Sequence, residues 1–426
     1  MGLVSRVLRL DLLRGGESFT AGSGRRRGGV GARPAPWPIK RAWGYNVATS
    51  GTDAAGVAQA YDAATIAANH DVVVLTKNDG RAAVAAYRAL GVEVIQYILA
   101  TEVRDNSTNN NIAWDNLDGS TYDLDAAIDT DWYLYTGLSG GGFTRIQTSA
   151  NRFMNPANTD YQQYFVDRVR DLWTTRGEDW DGIFLDNIFR SIQGGGSNGL
   201  RNKALATTND DGSGKVYARD GGTFTEYTQD QTGNDAYRDG VVAFVEKVRT
   251  DLADHYGVPL WCNAVEPHSS YDSLPDLAPL FDGIMLERLW TDWPDGTTGA
   301  GDGNQANDWV SAATWLDDMA QFQTIRDEGT RVWAQGRGPM GVGYTTDPDL
   351  LGFTVASFLL VYSSDDVFRY AHSAYSNFLH DPIFQTAGYP TGDYYETSPG
   401  SGTYRRNFAT GHVEVNPTTH AYTINL

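Results

Sequence analysis

Trp180-Asp-Gly-Ile-Phe-Leu-Asp186 and Phe281-Asp-Gly-Ile-Met-Leu-Glu287 read almost alike, and their reading decides the fold. Side chains alternate along a strand, so Gly182, Phe184 and Asp186 share one face, while Ile183 and Leu185 share the other. In the second stretch Gly283, Met285 and Glu287 oppose Ile284 and Leu286. Branched aliphatics suit contact with helices packed outside a sheet. The opposite face, small at its start and acidic at its end, suits the interior of a parallel barrel with a site at its mouth.

Working outward, strand-like runs fall at 41–48, 71–76, 92–99, 180–186, 259–265, 281–287, 331–336 and 366–371. Helix-compatible stretches lie between them at 55–69, 80–90, 159–176, 238–256, 307–327 and 348–361. This alternation predicts an α/β fold, a (β/α)8 TIM barrel. An open doubly wound sheet is the runner-up, but no Gly-rich phosphate turn follows the first strand. Residues 1–40 read as a flexible basic head, 41–380 as the barrel, and 381–426 as a small C-terminal β appendage packed on it. Inserts at 100–158, 188–237 and 290–306 supply long loops. The last two directly follow strands four and six, so they rise from the C-terminal rim. A hairpin is expected around Trp132–Tyr135 and Phe143–Gln147.

Composition narrows the function. The formal charge of −20 argues against nucleic acid or an anionic membrane as partner. The sign is uneven: residues 1–42 carry nine Lys/Arg against Asp11 and Glu17. A single cysteine, Cys262, excludes an intrachain disulfide and a Cys-rich zinc site. No run approaches a membrane span, and the first residues lack the apolar stretch of a signal peptide. Twelve Trp and 23 Tyr exceed what a core requires and suit a sugar-binding cleft as well as aromatic packing.

Strands four and six are separated by one strand, at roughly 4.8 Å per neighbour. Inward side chains from such strands can bring Asp186 and Glu287 into the range for glycoside hydrolysis, roughly 5 to 9.5 Å. One acid must then hold a proton while the other is ionised. Taken singly, each acid could equally be a cap or an ion pair; their matched phase at two strand tops favours catalysis. Asp181 and Asp282 belong to the opposite rim and read as structural. Candidate substrate-binding residues at the strand ends are Tyr45, Tyr97, Asn187, Asn263, Glu266, Arg288, Trp290, Trp333 and Gln335. Glu266 is the reserve acid. No HExxH, GxSxG or Walker motif appears, so neither metal nor cofactor is expected. Asn209-Asp-Asp-Gly-Ser-Gly214 reads as an Asx-rich turn ahead of a Ca²⁺ loop.

With the acid-ended strands in place, the chain resembles the hypothetical glycosyl hydrolase 15 family over roughly residues 41–426. The likeness is carried by Phe153-Met-Asn-Pro-Ala-Asn158, the two acid-ended strands, Tyr404-Arg-Arg-Asn-Phe408 and Gly411-His-Val-Glu-Val-Asn-Pro417. More distantly it is similar to endo-α-1,4-polygalactosaminidase barrels, whose acids also lie on strands four and six. The resemblance implies a TIM-barrel glycosidase acting on a polysaccharide or surface glycan. The rival expectation is a non-catalytic glycan-binding or structural barrel, such as a virion or tail appendage. Residues 1–40 would dock it to a partner, and its location would be extracellular or virion-associated.

Overall fold

The computed structural model describes residues 40–43, 50–52, 58–60, 63–75, 80–104, 130–148, 151–176, 180–188, 192, 200–227, 236–263, 277–287, 289–291, 309–337, 348–371 and 388–426. Eight parallel strands close into a barrel: β1 (Lys40–Trp43), β2 (Val72–Leu75), β3 (Glu93–Leu99), β4 (Gly182–Asp186), β5 (Leu260–Asn263), β6 (Gly283–Glu287), β7 (Arg331–Arg337) and β8 (Val367–Ala371). Helices α1 (Ala63–Asn69), α2 (Gly80–Ala89), α3 (Thr159–Arg176), α4 (Ala236–Val248), α5 (Ala312–Asp327) and α6 (Pro348–Val361) fall between them in chain order. The fold is the (β/α)8 barrel read from the sequence.

Two cores follow from strand alternation. Ile183, Leu185, Ile284, Leu286, Val332, Ala334 and Phe368 face the helices. Ala42, Val72, Val74, Ile95, Phe184, Trp261, Met285 and Trp333 fill the barrel. Followed round through its paired residues, the register returns to β1 about eight residues from its start, the stagger of this architecture. Level positions therefore climb by about one residue per strand, and the interior sorts into tiers. Val72, Gly182, Gly283 and Val367 form one tier, followed by Ala42, Ile95, Trp261 and Trp333, then Val74, Phe184, Met285 and Arg369. Gly283 of the first tier admits Trp261 of the second: a Cβ there would lie 2.1 Å from the Trp261 ring. Below them Arg331 stacks over Trp261 at 4.3 Å, and burial raises the pKa of nearby Glu93 against the pull of Lys40 and Arg331.

The closed end carries a repeated device. Each even strand is preceded by an aspartate whose carboxylate accepts a backbone N–H from the odd strand before it. Asp71 takes Arg41 N–H at 3.1 Å, Asp181 takes Val94 at 3.0 Å, Asp282 takes Leu260 at 2.8 Å, and Asp366 takes Val332 at 2.9 Å. At these levels the even strand has not yet begun, so no carbonyl of its ladder is there and the side chain substitutes for one. The backbone N–H groups of Asp71, Asp181 and Asp282 return a bond to the same three residues' carbonyls at 2.7–2.9 Å. Asp181 and Asp282 are thus structural, as expected from their rim.

Other sequence signals resolve into caps and covers. In the Phe153–Asn158 motif, Asn158 Oδ1 caps α3 by accepting Tyr161 N–H at 2.9 Å, and Asn155 Oδ1 accepts from Ala157 N–H and Tyr227 OH. The expected hairpin is present as Leu134–Gly137 with Phe143–Arg145. Its sheet is completed by Tyr217–Asp220 and Thr223–Glu226 from the next insert, a long-range pairing that local pattern does not show. Asp210 and Asp211 form Asx turns with Gly212 and Ser213 N–H at 2.7 and 2.8 Å. The C-terminal strands Tyr395–Glu396, Tyr404–Asn407, His412–Asn416 and Ala421–Asn425 make one antiparallel sheet. This sheet lies on α6, where a Cβ at Gly352 would meet the Tyr422 hydroxyl at 2.1 Å. That cover explains why α6, PDLLGFTVASFLLV, lacks a polar face. No helix among the described residues is long and apolar enough to cross a membrane.

Asp282→Ala strands the Leu260 N–H and should lower unfolding free energy by about 1–3 kcal/mol. Asp282→Asn keeps an acceptor and should lose clearly less. Equal losses in urea melts of the two variants would show that the backbone bond is not what the aspartate supplies.

Candidate active site

Asp186 and Glu287 end β4 and β6. The register pairs Asp186 with Asn263 and Asn263 with Met285, and two strands of stagger then bring Glu287 level with Asp186. A half-step below, on the odd strands, the inward residues are Tyr97, Asn263 and Gln335. They form a polar floor between the carboxylates and the tier of Val74, Phe184, Met285 and Arg369.

Three donors converge on Asp186. The Tyr97 hydroxyl donates to Oδ2, Asn263 Nδ2 donates to Oδ1 at 2.9 Å, and the Asn187 backbone N–H adds a third bond. Burial nevertheless raises the Asp186 pKa to about 6, helped by the charge of Glu287 and opposed by those donors. Glu287 is only partly covered, and its Oε1 accepts Gln335 Nε2 at 3.2 Å. Gln335 Oε1 in turn accepts from Arg369 Nη1 at 2.9 Å.

The chain turns sharply after Asp186. Asn187 adopts φ 58°, a left-handed conformation that Asn tolerates better than most residues. Its carbonyl accepts the Thr101 hydroxyl, and its Nδ2 reaches Glu102 Oε1 at 2.9 Å. Ala100 N–H donates to the Asp186 carbonyl at 3.1 Å, fixing the strand top from the β3 side.

The structure therefore gathers Asp186, Glu287, Tyr97, Asn187, Asn263 and Gln335 at one mouth. Two tryptophans expected to bind sugar do not belong to it. Trp333 is a barrel-filling residue, 1% exposed, packed edge-on against Phe184 and Trp261 at 5.5 and 5.9 Å. Trp290 is turned outward by φ 62°, its backbone N–H donating to buried Asp318 at 2.8 Å and its indole on Phe322 in the helix layer. Tyr45, Glu266 and Arg288 lie outside the described residues. Two residues were missed. Glu102 follows the end of β3 in an unremarkable polar context. Arg369 is a cation at an inward position of a mainly apolar strand, and strand phase alone could have flagged it. Among the described residues no group of three or more His, Cys, Asp or Glu is placed to hold a metal ion.

Residues 91–412 match the family model described as hypothetical glycosyl hydrolase family 15. The chain belongs to this family. No curated protein sequence matches it. Among solved structures, it is similar to the glycoside hydrolase domain of PelA from Pseudomonas aeruginosa, at 15% identity, covering 72% of this chain and 89% of that one, with a TM-score of 0.43. It is also similar to an alpha-amylase from H.orenii, at 11% identity over 89% and 88% of the two chains, with a TM-score of 0.43. A maltogenic alpha-amylase from Thermotoga neapolitana gives 10% identity over 82% and 78%, with a TM-score of 0.42.

The raised Asp186 pKa has a stability consequence. From the ordinary value of 3.8 up to about 6, an unfolded chain ionises this carboxyl while the folded one retains its proton. Folding therefore loses stability across that window, by up to about 3 kcal/mol at pH 7. Asp186→Asn removes the effect. Its unfolding free energy relative to wild type should rise between pH 4 and 6 and stay flat above pH 7. A pH-independent difference in paired denaturant melts would contradict the shift.

Proposed function

We propose that the protein hydrolyses O-glycosidic bonds of a polysaccharide or surface glycan with Asp186 and Glu287 as the two catalytic carboxylates. The observation that carries this reading is their placement at one level of the barrel mouth, close enough for the charge of Glu287 to raise Asp186. Family membership supports the reaction class.

Charge and burial divide the roles. Both Asp186 oxygens accept bonds from fixed donors, which orient the carboxyl. Burial and the charge of Glu287 outweigh those bonds and raise its pKa to about 6, so Asp186 is the group that holds the proton delivered to the leaving oxygen. Glu287, partly exposed and oriented through Oε1 by Gln335, acts at the anomeric carbon, as nucleophile or as base for water. The anomeric carbon loses its bond to the leaving oxygen, and water supplies the replacing hydroxyl. Tyr97 and Asn263, expected from the sequence to bind sugar, act here on Asp186.

Release of reducing ends from a panel of neutral, amino and acidic polysaccharides tests the proposal. Asp186→Asn and Glu287→Gln should each lose at least about a thousandfold in turnover while retaining wild-type melting cooperativity. Unchanged turnover in either variant sinks that assignment. Activity should fall as pH rises through about 6, because Asp186 must hold its proton. A rise over the same interval would exchange the two roles.

A further inference from the structure

Glu287, Gln335 and Arg369 lie on one register line across β6, β7 and β8. Gln335 is fully buried and Arg369 is 1% exposed. An arginine can only donate, so the bond from Arg369 Nη1 obliges Gln335 to turn Oε1 toward it. The amide nitrogen then faces the other way, onto Glu287 Oε1. Were the amide reversed, its oxygen would meet a carboxylate oxygen and Nε2 would meet a guanidinium, both repulsive contacts.

We propose that Arg369 and Gln335 are positioning residues for Glu287: the buried guanidinium sets the direction of the Gln335 amide, and the amide holds the Glu287 carboxyl over Asp186. The position of Arg369 supports a dedicated role. Its tier-mates Val74, Phe184 and Met285 are apolar, as is Val367 at the other described inward position of β8. Burying a guanidinium is costly, and an aliphatic side chain would fill this tier with less desolvation. The cation instead sits beneath a polar floor that leads directly to one catalytic carboxyl. The relay rests on the two-carboxylate reading for its meaning, but its geometry can be measured without turnover.

The probe is the titration of Asp186, followed by carboxyl-carbon NMR in unliganded, Asp-labelled protein and assigned by its loss in Asp186→Asn. Burial and the charge of Glu287 together raise the Asp186 midpoint to about 6, and the second contribution lasts only while that charge is held near. In Gln335→Met Glu287 loses the amide that orients it toward Asp186, and the Asp186 midpoint should fall by about half to one unit, a three- to tenfold change in proton affinity. In a Glu287→Gln background the same substitution should cause no further fall. Arg369→Met also removes a charge, so its effect on positioning is the part of its shift that vanishes in that background. Arg369→Lys, which keeps a donor, should retain most of the wild-type midpoint. Gln335→Asn, too short to span both partners, serves if Gln335→Met fails to fold. Equal shifts in both backgrounds, or none in either, would overturn the relay. An intact relay in a protein inactive on every glycan would count instead against the catalytic reading.

Discussion

The stagger of the closed barrel is the constraint on which the rest depends. It makes every odd strand begin beside an even strand that has not yet started, and four aspartates supply the missing acceptors. The same stagger, carried two strands further at the other end, sets Asp186 and Glu287 level although the ladder pairs Asp186 with the level of Met285. A barrel with another shear would leave these acids at different heights. The carboxylates at both ends of the barrel thus answer to one geometric rule, which is why DGIFLD and DGIMLE carry an acid at both ends. The first acid closes the backbone ladder; the last faces the mouth.

Strand phase made much of this legible. Each of the eight expected strands overlaps an observed one, and Asp186, Glu287, Tyr97, Asn263 and Gln335 point as alternation requires. The failures share a cause. Trp333 is in phase with Gln335 but two residues lower, and phase cannot say at which tier polar floor gives way to apolar filling. That boundary is set by the stagger, which is a property of all eight strands together. Trp290 fails differently, because a left-handed turn after β6 ends the alternation and sends the indole to the helix layer. The insert sheet escaped notice because Tyr135 and Tyr217 pair across a long loop that no local pattern connects. Arg369 was readable in principle, since a cation on the inward phase of a mainly apolar strand needs a reason.

The electrostatics of the site are graded by depth. At the bottom Glu93 is buried among Lys40 and Arg331 and holds its proton more tightly than a free carboxyl. Above it the interior is aromatic and aliphatic, apart from Arg369. The floor of Tyr97, Asn263 and Gln335 then directs donors upward at two carboxyls that repel one another. The hydroxyl and amides of this floor are neutral donors, which orient a carboxyl without adding a full charge beside it.

The C-terminal sheet lying on α6 has a consequence for how the chain is made. During synthesis, α6 leaves the ribosome with apolar residues on every side, and only its inner face can be buried by the barrel. Its outer face stays wet until Tyr422 and the neighbouring strands have emerged. Strands translated after it therefore complete a helix made well before them, and a product stalled or clipped between the two would present a sticky helix to its surroundings.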